Sequence, residues 1–230
     1  MATYQGAEQY VKYTFYKIDP QWRRLNAEIK EQGKQEFTSV IAEFESKLIL
    51  RTYSTVGMRG DADIMIWSAS PTLEALQEFI SQLLKTTLGA YLETTYSYLA
   101  MTRRSTYVDA HEHKRGESKV GMLPMSKPYL FVYPFVKTHA WYQLPFEERQ
   151  RMMNEHFKVG HEYPSVKIHT SYSFGLDDQE FVLGFETNKP ADFLELVMAM
   201  RSAEQRPYTE KDVPIFTCLL KDPKQLIDIL

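Results

Sequence analysis

The chain has 230 residues, of which 43% are hydrophobic and 25% are charged, and its formal net charge at pH 7 is −3. This length supports one large domain or two small ones with a buried core, and the charge gives no long-range attraction to nucleic acid or anionic lipid. The single cysteine, Cys218, excludes an internal disulfide framework, and the absence of long apolar runs and of a signal-peptide core predicts a cytoplasmic protein without membrane insertion.

The first half of the chain alternates strand and helix patterns. The segment "QYVKYTFYKI" alternates apolar and polar residues and predicts a strand, and Asp19 and Pro20 open an amphipathic helix from about Trp22 to Glu45. "KLILRTYSTVGMRG" and "DADIMIWSAS" predict two strands joined by a turn. A helix through "TLEALQEFISQLLKTT" and a strand in "TTYSYLAMTR" follow. The order β-α-β-β-α-β is that of a ferredoxin-like unit.

The second half repeats this order. "PYLFVYPFV" predicts a strand, "LPFEERQRMMNEHFKV" a helix with Pro145 near its first turn, and "VKIHTSYSFGLDDQEFVLGFET" a hairpin. A helix started by Pro190 and a last strand, "VPIFTCLL", complete the set. The similarity between "VGMRGDADIMIWSASPTLEAL" and "FGLDDQEFVLGFETNKPADFL" indicates that one unit was duplicated.

We therefore predict an α+β fold made of two ferredoxin-like repeats, residues 1–110 and 128–230, whose sheets join into one barrel-like core. Residues 111–127 are polar, charged and punctuated by glycine and proline, and we predict that they form a linker. Within this linker, His111 and His113 have a spacing that could place two metal ligands on one side of a strand, but no third ligand lies nearby in the sequence.

His156 lies on the predicted helix "RMMNEHFKV". Met152 and Met153 precede it by four and three residues, so they share its face, and a methionine-lined face is expected to turn inward. Two interpretations follow: a buried neutral histidine bonded to a carbonyl, or an axial ligand of haem iron. The pattern alone does not choose between them.

Tyr133 and Lys137 form a second candidate site in "VYPFVK". Pro134 cannot donate to a strand ladder and predicts that this stretch is an edge or an end of a strand, so that both side chains sit at a sheet rim. The pair is interpreted either as an exposed amphipathic pair, or as a phenol that gives up an electron and a proton beside an ammonium that holds a carboxylate.

The C-terminal half, "KPYLFVYPFVKTHAWYQLPFEERQRMMNEHFKVG…VKIHTSYSFGLDDQEFVLGFET", resembles the chlorite-dismutase-like haem proteins, which include chlorite dismutases and coprohaem decarboxylases. "WYQLP", "EERQRMM-x-x-H" and "GLDD", in this order, are its most specific motifs, and "KTTLGAYLETTYSYLAMTR" extends the similarity into the first half. The resemblance implies a dimeric α+β barrel subunit, a C-terminal repeat that binds haem, and a homo-oligomer, usually a homopentamer.

The resemblance also implies roles for single residues. His156 matches the proximal ligand of the haem iron, and Tyr133 and Lys137 match the "YP-x-x-K" motif of the decarboxylases. In those enzymes haem and hydrogen peroxide convert the tyrosine to a radical, which abstracts hydrogen from a propionate of coprohaem. Loss of carbon dioxide leaves a vinyl group, twice per molecule, and the lysine assists at the propionate. The cofactor is therefore expected to be haem, either coprohaem or haem b, with its iron.

The distal side of the expected haem depends on the strand register. Counting seven residues back from Gly175 of "GLDD" gives Ile168, whereas the family's spacing from His156 gives His169. Adjacent residues of a strand face opposite sides, and an indel belongs in a loop, so we expect Ile168 to face the pocket. Neither is the arginine of chlorite dismutases, so that activity is expected to be weak or absent.

Met152 is expected to line the cofactor beside His156. The haem carboxylates need cationic partners, and Lys119, Lys127, Arg201 and Arg206 are the candidates, each of which can also be a solvated surface charge. The predicted function is peroxide-dependent decarboxylation of coprohaem to protohaem. The alternatives are a haem peroxidase, a weak chlorite-dismutase-like detoxifying enzyme, and a non-catalytic haem carrier or sensor.

Overall fold

A computed structural model describes residues 8–107 and 124–230. The first repeat contains β1 (Tyr10–Ile18), α1 (Ala27–Phe44), β2 (Ile49–Ser54), β3 (Ile64–Ser70), α2 (Leu73–Leu84) and β4 (Leu92–Met101). The second contains β5 (Tyr129–Lys137), α3 (His139–Gln143), α4 (Phe146–His161), β6 (Lys167–Tyr172), β7 (Phe181–Thr187), α5 (Pro190–Met200), β8 (Thr209–Lys211), β9 (Phe216–Leu220) and α6 (Pro223–Asp228). The predicted β-α-β-β-α-β order is confirmed in both halves, with α3, β8 and α6 added in the second.

The strands form one closed antiparallel barrel. In the first repeat the order across the sheet is β4-β1-β3-β2, and in the second it is β6-β7-β5-β9. The repeats meet at two seams, where β2 pairs with β9 and β4 pairs with β6. The predicted α+β fold of two ferredoxin-like repeats with joined sheets is therefore confirmed. The exact division at residues 111–127 stays a prediction, since most of that segment lies outside the described residues.

The β4–β6 seam is short, and the "GLDD" turn reinforces it. Met101 and Tyr172 are the one backbone pair assigned between these strands within the described ranges. Beside this pair, the backbone of Leu99 donates to Asp177 Oδ2 at 2.7 Å, and Ser173 Oγ donates to the carbonyl of Leu99 at 2.7 Å. Gly175 holds the turn open with a φ of +72°, a conformation that L side chains rarely adopt. The motif therefore joins the two repeats.

Large aromatic side chains fill the barrel interior. The rings of Tyr13 and Trp67, both fully buried, stack with their centroids 5.4 Å apart. A Cβ atom at Gly184 would lie 3.2 Å from the hydroxyl of Tyr13, so this glycine of the second repeat makes room for a tyrosine of the first. The two repeats thus share one core and depend on each other for it.

The helices cover the outer face of the barrel. On the first repeat, α6 packs beside α1 and α2. Its Leu226 and Ile227 lie in the same apolar cluster as Leu50 of β2. The sequence-predicted helix start at Trp22 is too early, because Trp22 lies in a short 3-10 turn and Asn26 caps α1 by accepting from the backbone N–H of Ile29.

The prediction that Pro134 marks an edge strand is wrong. β5 pairs with β7 from Tyr129 to Phe135, and on its other side it pairs with β9 and then with β8. Pro134 lies between the end of the β9 pairing at Val132 and the start of the β8 pairing at Val136, a point where no N–H is required on that side. A proline is therefore tolerated in a central strand.

Within residues 8–107 and 124–230, no helix is long and apolar enough to cross a membrane.

Candidate functional site

The helix-side face of β5, β7 and β6 carries most of the predicted site. Tyr133 of β5 pairs with Leu183 of β7, and Leu183 pairs with Thr170 of β6. Two residues farther along these strands, Phe185 of β7 pairs with Ile168 of β6. Directly opposed residues of antiparallel strands share a face, as do residues two apart on one strand. Tyr133 and Ile168 therefore lie on the same face of the sheet, which we call the C-terminal outer face.

Part of this face is covered and part is open. Phe131, Tyr133 and Phe185 are buried in one cluster with Phe193 and Leu196 of α5. The rings of Phe131 and Phe193 stack with centroids 4.0 Å apart, and those of Tyr133 and Phe185 with centroids 5.6 Å apart. Over β6 the cover ends, so that Ile168 is 37% exposed and Thr170 is exposed. The result is an apolar floor that is open on the β6 side.

His169 points the other way, into the barrel. It is buried, its Nε2 lies 2.7 Å from Oε2 of the fully buried Glu186, and its ring packs edge-on against Trp67. The Glu186 carboxylate also accepts the backbone N–H groups of Met125 and Lys127. The structure thus puts Ile168, and not His169, on the same face as Tyr133.

A hydrogen-bonded chain connects Lys137 to His156. Lys137 Nζ donates to Gln205 Oε1, and Gln205 Nε2 lies 3.4 Å from His156 Nδ1. Both Lys137 and Gln205 are buried, and Nζ also lies 4.3 Å from the ring centroid of Trp141, within range of a cation–π interaction. The interpretation of Tyr133 and Lys137 as an exposed rim pair is wrong, since both are more than nine-tenths buried.

The site keeps its histidine neutral and its lysine easily deprotonated. Burial and, to a lesser degree, the positive charge of Lys137 lower the pKa of His156 to about 4. Burial, together with the nearby Arg206, lowers the pKa of Lys137 to about 8. At neutral pH His156 is therefore an uncharged imidazole, which is the form that binds metals, while Lys137 is still an ammonium.

Two arginines and one acid lie on the β8 side of Tyr133. Arg201 Nη1 and Arg206 Nη1 donate to the same Oδ2 atom of Asp212, at 2.6 and 2.7 Å. Burial raises the pKa of Tyr133, and the Asp212 carboxylate raises it further, so the phenol is protonated at any physiological pH. Arg201 and Arg206, which were predicted as partners of haem carboxylates, here bind a carboxylate of the protein itself.

The remaining predicted residues are more scattered. Met152 is buried on α4, one turn before His156. Lys127 contributes its backbone N–H to the barrel-interior carboxylate of Glu186. Lys119, like His111 and His113, lies outside the described residues. The binding roles of all these residues stay predictions.

Sequence reasoning missed two members of the site, Gln205 and Asp212. Gln205 lies in the turn after α5, and Asp212 directly follows β8, so neither belongs to a periodic pattern that could reveal its direction. The available signal was their position in the sequence: Gln205 directly precedes Arg206, and both Gln205 and Asp212 lie in the same short segment as Arg201.

The imidazole of His156 suits a metal that is already bound in a macrocycle such as a porphyrin. In the part of the chain that the structure describes, no three histidine, cysteine or acidic side chains converge to hold a bare ion. A single neutral imidazole is sufficient for haem, whose iron takes its other four in-plane ligands from the porphyrin. The apolar floor and the cationic side chains suit the ring and its carboxylates, so the residues present fit haem.

Comparison with known proteins agrees with this description. The family model for chlorite dismutase matches residues 30–221. Coproheme decarboxylase of Mycolicibacterium smegmatis is 34% identical over 168 residues, which cover 72% of this chain and 70% of that protein. A mutant chlorite dismutase from Candidatus Nitrospira defluvii superposes with a TM-score of 0.89 at 25% identity, over 99% of this chain and 96% of that chain.

A haem-binding protein from Thermus thermophilus has the same fold, with a TM-score of 0.84 at 23% identity, over 99% of this chain and 96% of that chain. The family match spans most of the sequence, includes both repeats, and agrees with the fold and with the motifs quoted above. The chain therefore belongs to the chlorite dismutase family.

Proposed function

We propose that this protein is a haem-dependent oxidoreductase that decarboxylates coprohaem with hydrogen peroxide, giving protohaem. The observation that carries the proposal is that Gln205 connects Lys137 to a neutral His156, while the buried phenol of Tyr133 lies within electrostatic range of Asp212 and its two arginines. A buried phenol, a buried ammonium and a metal-competent imidazole are the groups that this reaction needs. The 34% identical relative named coproheme decarboxylase supports the same choice.

His156 would hold the iron, and Ile168 lies on the same outer face as Tyr133, where it would contact the ring. When bound, the haem iron supplies the oxidising chemistry with peroxide, by which Tyr133 loses one electron and one proton. Burial helps in two ways: it keeps the phenol protonated until that step, and it keeps external reductants away from the radical. Tyr133 is thus the proposed hydrogen-atom acceptor from the propionate, restored to a phenol when it takes that hydrogen.

The overall step balances for each propionate. The side chain loses carbon dioxide, one proton and two electrons and becomes a vinyl group. One hydrogen peroxide takes up the two electrons with two protons and becomes two water molecules. One of these protons is the one that the propionate releases, and the other comes from solvent. Two propionates therefore consume two molecules of peroxide and two solvent protons, and no further oxidant or reductant is required.

Lys137 is proposed to hold the reacting carboxylate, and to do so it must leave Gln205. While Lys137 donates to Gln205 Oε1, the amide nitrogen faces His156 Nδ1, so the proton of the neutral imidazole lies on Nε2. An imidazole that binds iron through Nε2 carries its proton on Nδ1 and needs an acceptor there. Once Lys137 turns to a propionate, Gln205 can rotate and present its oxygen to Nδ1.

A second candidate, a non-catalytic haem carrier, is favoured by one observation. On the β6 side, the outer face presents Ile168 and Thr170, neither of which is charged. An aliphatic side chain cannot hold or polarise an oxyanion, which also argues against efficient chlorite dismutation. A haem peroxidase would share the iron ligand but would require turnover of an external reductant.

The test is a peroxide titration of the protein loaded with ferric coprohaem, followed by mass spectrometry of the porphyrin. We expect two successive losses of carbon dioxide in the wild type, and coprohaem binding without product in Tyr133→Phe. Phe135→Leu, two residues along the same strand, serves as a matched control and should still give product. Bound coprohaem that stays intact in the wild type would refute the decarboxylase proposal and leave the carrier.

The homopentamer implied by the family resemblance and the cytoplasmic location stay predictions. Size-exclusion chromatography with light scattering would measure the first directly.

A further inference from the structure

Asp212 occupies an unusual position beside the proposed active site. It follows β8, whose Lys211 pairs with Val136 of β5, and because the strands are antiparallel the chain continues from there toward Tyr133. Its Oδ2 atom receives one N–H from Arg201 and one from Arg206. Asp212 is 18% exposed in its side chain, whereas the two arginines are 43% and 31% exposed. A mostly buried acid thus holds two partly exposed guanidinium groups together.

The charges explain why the acid is needed. Two guanidinium groups that meet at one oxygen atom repel each other, and without a carboxylate between them they would separate into solvent. Burial works to raise the pKa of Asp212, but the bonds from Arg201 and Arg206 outweigh it and lower the pKa, so the acid stays ionised. The group of three carries a net charge of +1.

This cluster still has capacity for a ligand. A guanidinium has five N–H donors, and each arginine uses Nη1 for Asp212. The remaining donors of two fixed, adjacent forks can bind a second carboxylate, which a single freely rotating arginine would bind with a larger loss of side-chain entropy. A single carboxylate also neutralises the net charge of +1.

We propose that Asp212 is the positioning residue of a carboxylate receptor formed by Arg201 and Arg206, and that this receptor makes the site prefer coprohaem over its decarboxylated product. The inference rests on the proposed function and deepens it. The receptor lies on the β8 side of Tyr133, where a reacting propionate must come close to the phenol. Substrate and product differ at the reacting positions, which carry carboxylates before the reaction and vinyl groups after it.

Product release follows from the same arrangement. Once the propionate has lost carbon dioxide, the receptor faces an apolar vinyl group and its positive charge has no partner. A propionate accepts charge-assisted hydrogen bonds from the remaining donors, which a vinyl group cannot do, so the site binds the product less tightly than the substrate. The receptor then clears the site for the next molecule.

The test compares the binding of two ligands in the absence of peroxide. Ferric coprohaem and ferric haem b are titrated into the ligand-free protein, and the Soret band gives the two dissociation constants. We expect the wild type to prefer coprohaem. Asp212→Asn should bind coprohaem about tenfold more weakly, the loss expected for a charge-assisted hydrogen bond, and haem b nearly as before.

Three further variants make the result specific. Asp212→Glu keeps the charge and should restore most of the preference, while Arg206→Gln removes one fork and should reduce it as Asp212→Asn does. Asp228→Asn removes an acid from a surface ion pair with Lys34 in the first repeat, and it should leave both dissociation constants unchanged. If Asp212→Asn does not fold, Arg206→Gln still tests the receptor.

Two outcomes would overturn the inference. An unchanged ratio of the two constants, or tighter coprohaem binding in Asp212→Asn, would mean that Asp212 does not assemble a receptor or that it competes with the ligand. An unchanged ratio that results from an equal loss for both ligands would assign Asp212 a purely structural role. Peroxide-driven conversion by the wild type is measured separately, so failure of the decarboxylase proposal and failure of the receptor are distinguishable.

Discussion

The two repeats have the same order of elements but use their outer faces differently. In the first repeat the helix-side residues of β2 are covered, with Leu50 5% and Thr52 4% exposed, because α6 packs over them. On β6, which occupies the equivalent place in the second repeat, Ile168 is 37% exposed and Thr170 is exposed. Among the described residues, no helix covers β6 as α6 covers β2.

This difference indicates that the first repeat contributes mainly to stability and that the second carries the candidate site. The first repeat buries its apolar surface and gains the free energy of that burial. The second repeat leaves its apolar floor open on the β6 side, and the same repeat carries Tyr133 in that floor and the chain from Lys137 through Gln205 to His156. A planar ligand requires such an open floor, so the site is expected in the repeat that is less completely packed.

The largest expected effect concerns α4. His156→Ala should abolish the Soret shift on mixing with ferric haem, because the iron loses its one protein ligand, and should change the free energy of unfolding little. By contrast, Phe37→Ala at the fully buried position on α1 should cost about 3–5 kcal/mol, mostly through the cavity it leaves. Urea denaturation and Soret titration measure the two effects.

His139→Ala, an exposed histidine at the start of α3, is the matched control and should bind haem normally. Haem binding that survives in His156→Ala would show that His156 is not the iron ligand. It would also remove the contrast between α1, where a substitution costs stability, and α4, where a substitution costs haem binding.

A smaller effect compares the two floors directly. Leu50→Ala should lower the free energy of unfolding by about 2–5 kcal/mol, whereas Ile168→Ala should lower it by less than about 1 kcal/mol in the ligand-free protein. With coprohaem bound, the cost of Ile168→Ala should rise, because the side chain then contacts the ring. Urea midpoints with and without ligand measure both values. Equal costs in the ligand-free protein would mean that β6 is covered after all.

The smallest effect is a pH dependence. Burial lowers the pKa of Lys137 to about 8, so its ammonium is lost as the pH rises through that value and not near 10.5. Decarboxylation by the wild type should therefore fall above pH 8, since a neutral amine holds a carboxylate poorly. Lys137→Arg keeps its charge and should retain a flat profile over this range, at whatever rate its bulkier head allows.

The same shift affects stability with a defined sign. Because the folded pKa of Lys137 is lower than its unfolded value, the charged lysine destabilises the ligand-free fold below about pH 8, and this cost declines as the pH rises toward 10.5. Lys137→Met should remove this pH dependence of the free energy of unfolding.

The activity profile has its own contradicting outcome. A fall in decarboxylation above pH 8 that persists in Lys137→Arg would assign the titration to another group.

Much of the fold was predictable because its signals are local. Strand alternation, helix periodicity and proline-started helices gave the order of elements in both repeats, and the repeated order gave the sheet topology. The errors were also local in origin. Pro134 indicated an edge strand, yet it lies in a central one at the change of partner from β9 to β8. Asn26, whose side chain caps α1, moved the helix start beyond Trp22.

By itself, the sequence determined the duplicated α+β architecture, the family, and the candidate residues Tyr133, Lys137 and His156. Only the tertiary structure decided that Ile168 shares a face of the sheet with Tyr133, and which group connects Lys137 to His156. Gln205 is 68 residues from Lys137 and 49 from His156 along the chain, and it lies in an irregular turn. Periodicity carries no information over such separations, because it reports the direction of a side chain from its own element and not which distant side chain it meets.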